Sequence, residues 1–230
     1  MQKQSIFFPG KIFLVSLAHL LLTVPSLSQV RFSLASDVAL QHNLKKQQRF
    51  WAIGHTTNII YHLSKKDGVY GSFVYFSNGK FTNRLTAVAK SPATIPQQIN
   101  YRSDVRMWLK QFSLGWKKYL VGTADANADG DWNLYTGAGF GVVFGRVVNQ
   151  LSVSPDTTLY AIPVRGGNAN FKRLTLDLSL GVEFPIGTDV YLYSEGRCWI
   201  PTTDYPSKHI LVNENAPLVA MLGIGIRVLF

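Results

Sequence analysis

Residues 216–230 read APLVAMLGIGIRVLF, with Leu218, Ala220, Leu222, Ile224, Ile226, Val228 and Phe230 at alternate positions and Met221, Gly223, Gly225 and Arg227 between them. Side chains two residues apart share one face of a strand, so one face of this segment is wholly apolar. Its patterned length of about ten residues is what a tilted strand needs to cross a bilayer. The stretch predicts a terminal strand whose apolar row faces lipid.

The same alternation recurs upstream. In 30–41, Phe32, Leu34, Val38 and Leu40 oppose Arg31, Ser33, Asp37 and Gln41, and in 50–63 a single face holds Trp51, Ile53, Ile59, Tyr61 and Leu63. Segment 69–77 is rich in Tyr and Phe, which suits the aromatic girdle of a membrane barrel. In 101–116, Val105, Met107 and Leu109 read as outward and Arg102, Asp104, Arg106 and Lys110 as inward. Phe112, Leu114 and Trp116 then follow on the other phase, and a β-bulge near Gln111 is the expected cause. In 132–148, Trp132, Leu134, Ala138, Phe140, Val142 and Phe144 face out, and Gly137, Gly139, Gly141 and Gly145 face in. Leu174, Leu176, Leu178, Leu180, Val182 and Phe184 alternate with Arg173, Thr175, Asp177, Ser179, Gly181 and Glu183, and 190–200 sets Glu195 and Arg197 on one face. With the terminal strand these segments predict eight strands, or ten if 80–90 and 157–164 form a further pair. Segments 78–98, 149–170 and 201–216 read as long loops and 64–68 and 185–189 as tight turns.

The N-terminal end carries Lys3 and Lys11, an apolar run from Ile12 to Val24 and the small residues Ser26 and Ser28. That order is a signal peptide, cleaved after Ser28, because the run of about thirteen residues is short of the roughly twenty a spanning helix needs. The expected organisation is 1–28 signal peptide and 29–230 one barrel domain. The signal holds two of the 23 basic residues and none of the 13 acids, so the mature chain carries a formal charge of +8. That excess suits lipid phosphates or, by preference, a spread over loops and lumen; nucleic acid is no partner for an exported chain. The single Cys198 excludes an intramolecular disulfide.

With its Phe end and with Leu222, Ile224, Ile226 and Val228 before it, the chain resembles the small outer-membrane β-barrel proteins of Gram-negative bacteria. The resemblance implies an all-β, antiparallel, eight-stranded transmembrane barrel in the outer membrane. It also implies that the strand Leu222, Ile224, Ile226, Val228, Phe230 is the signal read by the barrel-assembly machinery. Outer-membrane lipid and an unidentified extracellular partner complete the expected contacts.

Three constellations carry candidate chemistry. The inward charges Asp37, Arg102, Asp104, Arg106, Lys110, Arg173, Asp177, Glu183, Glu195, Arg197 and Arg227 predict paired ions that fill a narrow lumen, with the fourth-strand cations facing Asp177, Glu183 and Glu195. Asp125, Asn127, Asp129, Gly130 and Asp131 spell the first half of a calcium loop, but its twelfth position is Thr136 rather than a bidentate Glu. An Asx-rich turn is therefore preferred, and calcium is the one cofactor the sequence offers. His42, His55, His62 and His209 are scattered, and no local signature ties His209 to Ser207 or Glu214. The expected role is structural or surface interaction through the outer loops, without enzymatic activity; a passive solute channel and a lipid A-modifying enzyme are the alternatives.

Overall fold

The computed structural model describes residues 31–125, 132–202 and 218–230; the expected signal peptide lies outside them. The strands are β1 (Arg31–Asn43), β2 (Trp51–His62), β3 (Asp67–Ala89), β4 (Gln98–Val121), β5 (Asn133–Leu151), a two-residue β6 (Tyr160–Ala161), β7 (Gly167–Pro185), β8 (Val190–Pro201) and β9 (Val219–Leu229). Antiparallel pairing runs in the order β2-β1-β9-β8-β7-β5-β4-β3, and β3 pairs back to β2. The eight long strands thus form a closed barrel without a free edge, as a wall in hydrocarbon requires. Closure brings the two ends of the domain together, Ser33 opposite Leu229 and Ala39 opposite Gly223.

The terminal strand is built as its alternation predicts. Ile224 and Leu222 are 60% and 57% exposed on the outside, while Met221 and Arg227 are buried inside. The glycines of β5 also face inward, and there they make room. A Cβ on Gly145 would strike the ring of Phe171, and one on Gly141 would lie 2.6 Å from Gln111 Nε2.

The segment around Gln111 departs from expectation. Buried Tyr101, Ser103, Val105, Met107, Leu109, Gln111 and Ser113 form one unbroken inward row, so Arg102, Asp104, Arg106 and Lys110 face outward together with Phe112, Leu114 and Trp116. No bulge lies at Gln111; the register shifts fall between Phe76 and Gly79 in the β3–β4 pairing and between Tyr119 and Val121 in the β4–β5 pairing. The physical reason is a change of surroundings. Within the lipid belt the outside is apolar and the inside polar, but where the wall rises into water the packed interior becomes the apolar side. The alternation then changes sign although the strand keeps its phase.

The same extension corrects the loop reading of 78–98. β3 has 23 residues and β4 has 24, about twice the roughly ten that one crossing needs. Their outer halves pair from Gly79 opposite Met107 to Val88 opposite Gln98 and turn back through 90–97. β6 adds to the tip of this ribbon, with Val88 opposite Ala161 and Ala89 opposite Tyr160, so 80–90 continues β3 and the barrel has eight strands rather than ten. The 149–170 connection is shortened in the same way, since β5 runs to Leu151 and β7 begins at Gly167. Among the 201–216 loop, residues 203–216 lie outside the described region. Short turns 63–66 and 186–189 lie at the end where β1 begins and β9 stops; that is the periplasmic end of such a barrel, which makes the ribbon extracellular.

Candidate functional site

The interior is polar below and mainly apolar above. Toward the periplasmic end, Glu183 of β7 is fully buried and meets two cations. Lys117 Nζ of β4 donates to Glu183 Oε1 at 2.6 Å, and Arg227 Nη2 of β9 lies 3.0 Å from Oε2. The second contact is an ion pair by distance rather than an aligned hydrogen bond. Three tyrosines surround the cluster. Lys117 Nζ sits 3.4 Å above the centre of the Tyr135 ring and 5.1 Å from that of Tyr119, and the Arg227 guanidinium lies 4.0 Å from that of Tyr191. Ring faces carry negative quadrupole, so they offset part of the excess positive charge that two cations on one carboxylate leave.

One layer higher, Glu195 Oε1 accepts from Arg197 Nε at 2.9 Å and Nη2 at 2.6 Å, and Arg197 Nη1 donates to Ser72 Oγ at 2.9 Å across the barrel. Asp37 Oδ2 accepts the Tyr193 hydroxyl at 2.7 Å. Asp177 accepts Gln111 Nε2 at 2.8 and 3.0 Å and the Thr175 hydroxyl at 3.0 Å. Between the two charge layers lies a cavity of about 20 Å³ lined by Asn58, Lys117, Glu183, Tyr193, Glu195 and Arg197, room for about one water.

Above these layers apolar side chains predominate, although Gln41 opposite Met221, Arg173 opposite Val143 and the hydrogen-bonded Ser103 and Asn149 also point inward. Phe50, Phe76, Met107, Phe171, Trp199 and Met221 belong to one buried cluster, and the Phe76 and Trp199 rings meet edge-on with centroids 5.9 Å apart. Phe50 seats on Gly79, where a Cβ would collide with its ring, which is why the bulge beside Phe76 ends on a glycine.

Of the eleven charges expected inside, Asp37, Arg173, Asp177, Glu183, Glu195, Arg197 and Arg227 are on the inward rows. Arg102, Asp104, Arg106 and Lys110 are outside and face none of the inner acids. Asp104 instead accepts the Thr82 hydroxyl at 2.7 Å and Arg102 Nε at 2.8 Å on the ribbon's outer face. The Thr82 hydrogen bond, and then Arg102, hold its carboxyl below the usual carboxylate range. The cation that Glu183 does meet in the fourth strand is Lys117, which the Lys117-Lys118 doublet disguised as the end of a strand. The inward parity of Phe112, Leu114 and Trp116's neighbours is the signal that finds it.

Asn127, Asp129 and Asp131 of the Asp-rich turn lie outside the described residues. Asp125 is described: its carboxylate faces Lys65 Nζ at 3.4 Å, and its backbone carbonyl accepts the Tyr191 hydroxyl at 2.7 Å. Among the described residues no group of three His, Cys, Asp or Glu side chains is placed to hold a metal. A Ser–His contact that spacing did not reveal joins β1 to β2, with Ser33 Oγ 2.6 Å from His62 Nε2. Ser33 is 1% exposed and also accepts from Arg227 Nη1 at 3.0 Å, so its hydroxyl is spent on the internal network.

A closed antiparallel barrel with a lipid-facing apolar belt, a polar lower lumen and a long extracellular ribbon is an integral β-barrel of the outer-membrane class. No protein-family model and no curated protein matches the sequence. Among solved structures, the chain is similar to the outer membrane protein OprG from Pseudomonas aeruginosa, at 13% identity and a TM-score of 0.50 over 87% of this chain and 96% of that one. It is also similar to Ail of Yersinia pestis in complex with the heparin analogue sucrose octasulfate (12% identity, TM-score 0.48, 88% of this chain and 100% of that one). A third is Neisserial surface protein A (11% identity, TM-score 0.47, 87% of this chain and 97% of that one). At these identities the likeness is one of fold.

Proposed function

We propose that the protein is a non-enzymatic barrel with a structural or surface-interaction role, exerted through the extracellular β3–β4 ribbon and neighbouring loops, while its own side chains close the lumen to solutes. The observation that carries this is the stacking of two layers of ion-paired side chains beneath an aromatic layer, with space between the charges for about one water. Eight strands leave an interior just wide enough for side chains to fill. The burial of Ser33 leaves a substrate carbonyl no approach to the Ser33–His62 pair, and the outward Ser36–His55 contact is long at 3.5 Å; both support a role without catalysis, and the role needs no cofactor. On this reading the partners are the outer-membrane lipid around the belt, the assembly machinery acting on the Leu222 to Phe230 strand and an extracellular molecule met by the ribbon. Swelling of liposomes that contain the refolded protein tests the closed lumen. No swelling in small sugars or amino acids is expected; swelling that slows with increasing solute size would make the protein a passive channel instead.

A further inference from the structure

On the outer wall, positive charge starts where the apolar belt stops, and it does so on one side of the barrel. Outward positions pass from Tyr75 to Lys80 on β3, from Phe112 to Lys110 on β4, from Phe144 to Arg146 on β5 and from Leu174 to Lys172 on β7. Among the described residues, the outward rows of β1, β2, β8 and β9 hold no Lys or Arg.

Strand register assembles these cations with aromatic rings. Tyr75, Lys110, Phe144 and Lys172 are successive cross-strand neighbours in one row, and Trp108, Arg146 and Asn170 form the next. Lys110 Nζ lies 5.6 Å from the Tyr75 ring centre, Lys172 Nζ 5.7 Å from that of Phe144 and the Arg146 guanidinium 5.9 Å from that of Trp108. Together these six side chains line a groove of about 660 Å³. Ring faces orient a cation but do not neutralise it. Among the described residues none of the three has a carboxylate within ion-pair distance, whereas Arg102, further up β4 on the ribbon, is engaged by Asp104.

Directly below lies a second groove of about 630 Å³, almost wholly apolar. Its floor includes the next belt row, in which Phe73, Phe112, Val142 and Leu174 are cross-strand neighbours, and the outward Gly71 deepens it. A free phosphate would use the upper groove alone. A phosphorylated lipid uses both, with its phosphate oxygens among three unpaired cations and an acyl chain along the row beneath.

We propose that this face of β3, β4, β5 and β7 is a binding site for one phosphorylated lipid of the outer leaflet, its phosphate held by Lys110, Arg146 and Lys172. The test is native mass spectrometry of the refolded full barrel in non-ionic detergent, titrated with diphosphoryl lipid A, with its dephosphorylated form and with inorganic phosphate. One diphosphoryl lipid A per barrel is expected, bound more tightly than the dephosphorylated form. Each of Lys110→Gln, Arg146→Gln and Lys172→Gln is expected to weaken it roughly fivefold and the triple variant roughly a hundredfold. Lys45→Gln with Arg49→Gln, in the loop after β1, leaves binding unchanged. Equal weakening by the loop pair, or equal binding of the dephosphorylated form, overturns the proposal. Displacement of the lipid by millimolar inorganic phosphate shows a free-phosphate site and overturns it as well. Should the triple variant fail to fold, the single variants decide: no loss in any of the three contradicts the site.

Discussion

Glu183 on β7 and Lys117 on β4 meet inside the barrel at 2.6 Å, across the intervening β5, with Arg227 of β9 on the other carboxylate oxygen at 3.0 Å. The cluster ties three non-adjacent strands together through one buried anion, and it carries one cation more than it has acids. Removing the acid is therefore worse than removing a cation. Glu183→Gln leaves two buried cations facing each other and is expected to cost about 3 to 5 kcal/mol. Lys117→Met leaves the Glu183–Arg227 pair intact and is expected to cost less. Urea unfolding of both variants in lipid vesicles ranks them, and a larger loss for Lys117→Met would contradict the charge balance.

Met107 and Arg106 are adjacent in β4 and point opposite ways, the first fully buried in the apolar upper lumen and the second outside. Met107→Ala is expected to open a cavity beside Phe76 and Trp199 at a cost of about 2 to 5 kcal/mol. Arg106→Ala is a surface change and is expected within about 0.5 kcal/mol of wild type. The reverse order would restore the inward placement of Arg106.

β4 is also where sequence and structure part. Period-two alternation identifies every membrane crossing, because in β1, β2, β9 and the 174–184 run of β7 lipid lies outside and polar groups inside. It says nothing of where the wall leaves the lipid. Past Lys110 the surroundings exchange roles, so Val105, Met107 and Leu109 look lipid-facing although they form the core of the mouth. The ribbon half of β3 was hidden for the same reason, with inward Phe81, Leu85 and Ala87 set among outward Lys80, Thr82, Arg84 and Thr86. Pro92 and Pro96, which suggest a loop, occupy only the turn at its tip. Asp37, Glu183, Glu195, Arg197 and Arg227 were legible as inward charges, but their partners depend on register across the lumen, which alternation does not encode. Tyr193, Gln111 and Ser72, uncharged on the same rows, carried no signal of their own.

Ile224 lies near the centre of β9 on the lipid face, paired on both sides with Val38 and Ser194. Ile224→Arg is expected to destabilise the barrel by about 2 to 4 kcal/mol, the cost of a basic side chain near mid-bilayer. Deleting Phe230, whose backbone N–H donates to Phe32 O at 2.7 Å, removes a clasp between the two ends of the wall as well as the terminal aromatic. Both variants are expected to lose yield of the heat-modifiable folded band on electrophoresis, and a wild-type yield for both would contradict the role given to this strand.

The proposed closure of the lumen is tested most directly by ion conductance of the purified barrel in planar bilayers, wild type beside Glu183→Gln. Wild-type protein is expected to give no steady conductance, because an ion would have to pass both the Lys117, Glu183 and Arg227 layer and the apolar layer at Phe76 and Trp199. Glu183→Gln is expected to stay closed as well, since the apolar layer remains. Steady wild-type channels whose ion selectivity changes with Glu183→Gln would contradict the closed lumen and make the inner charges the walls of a pore.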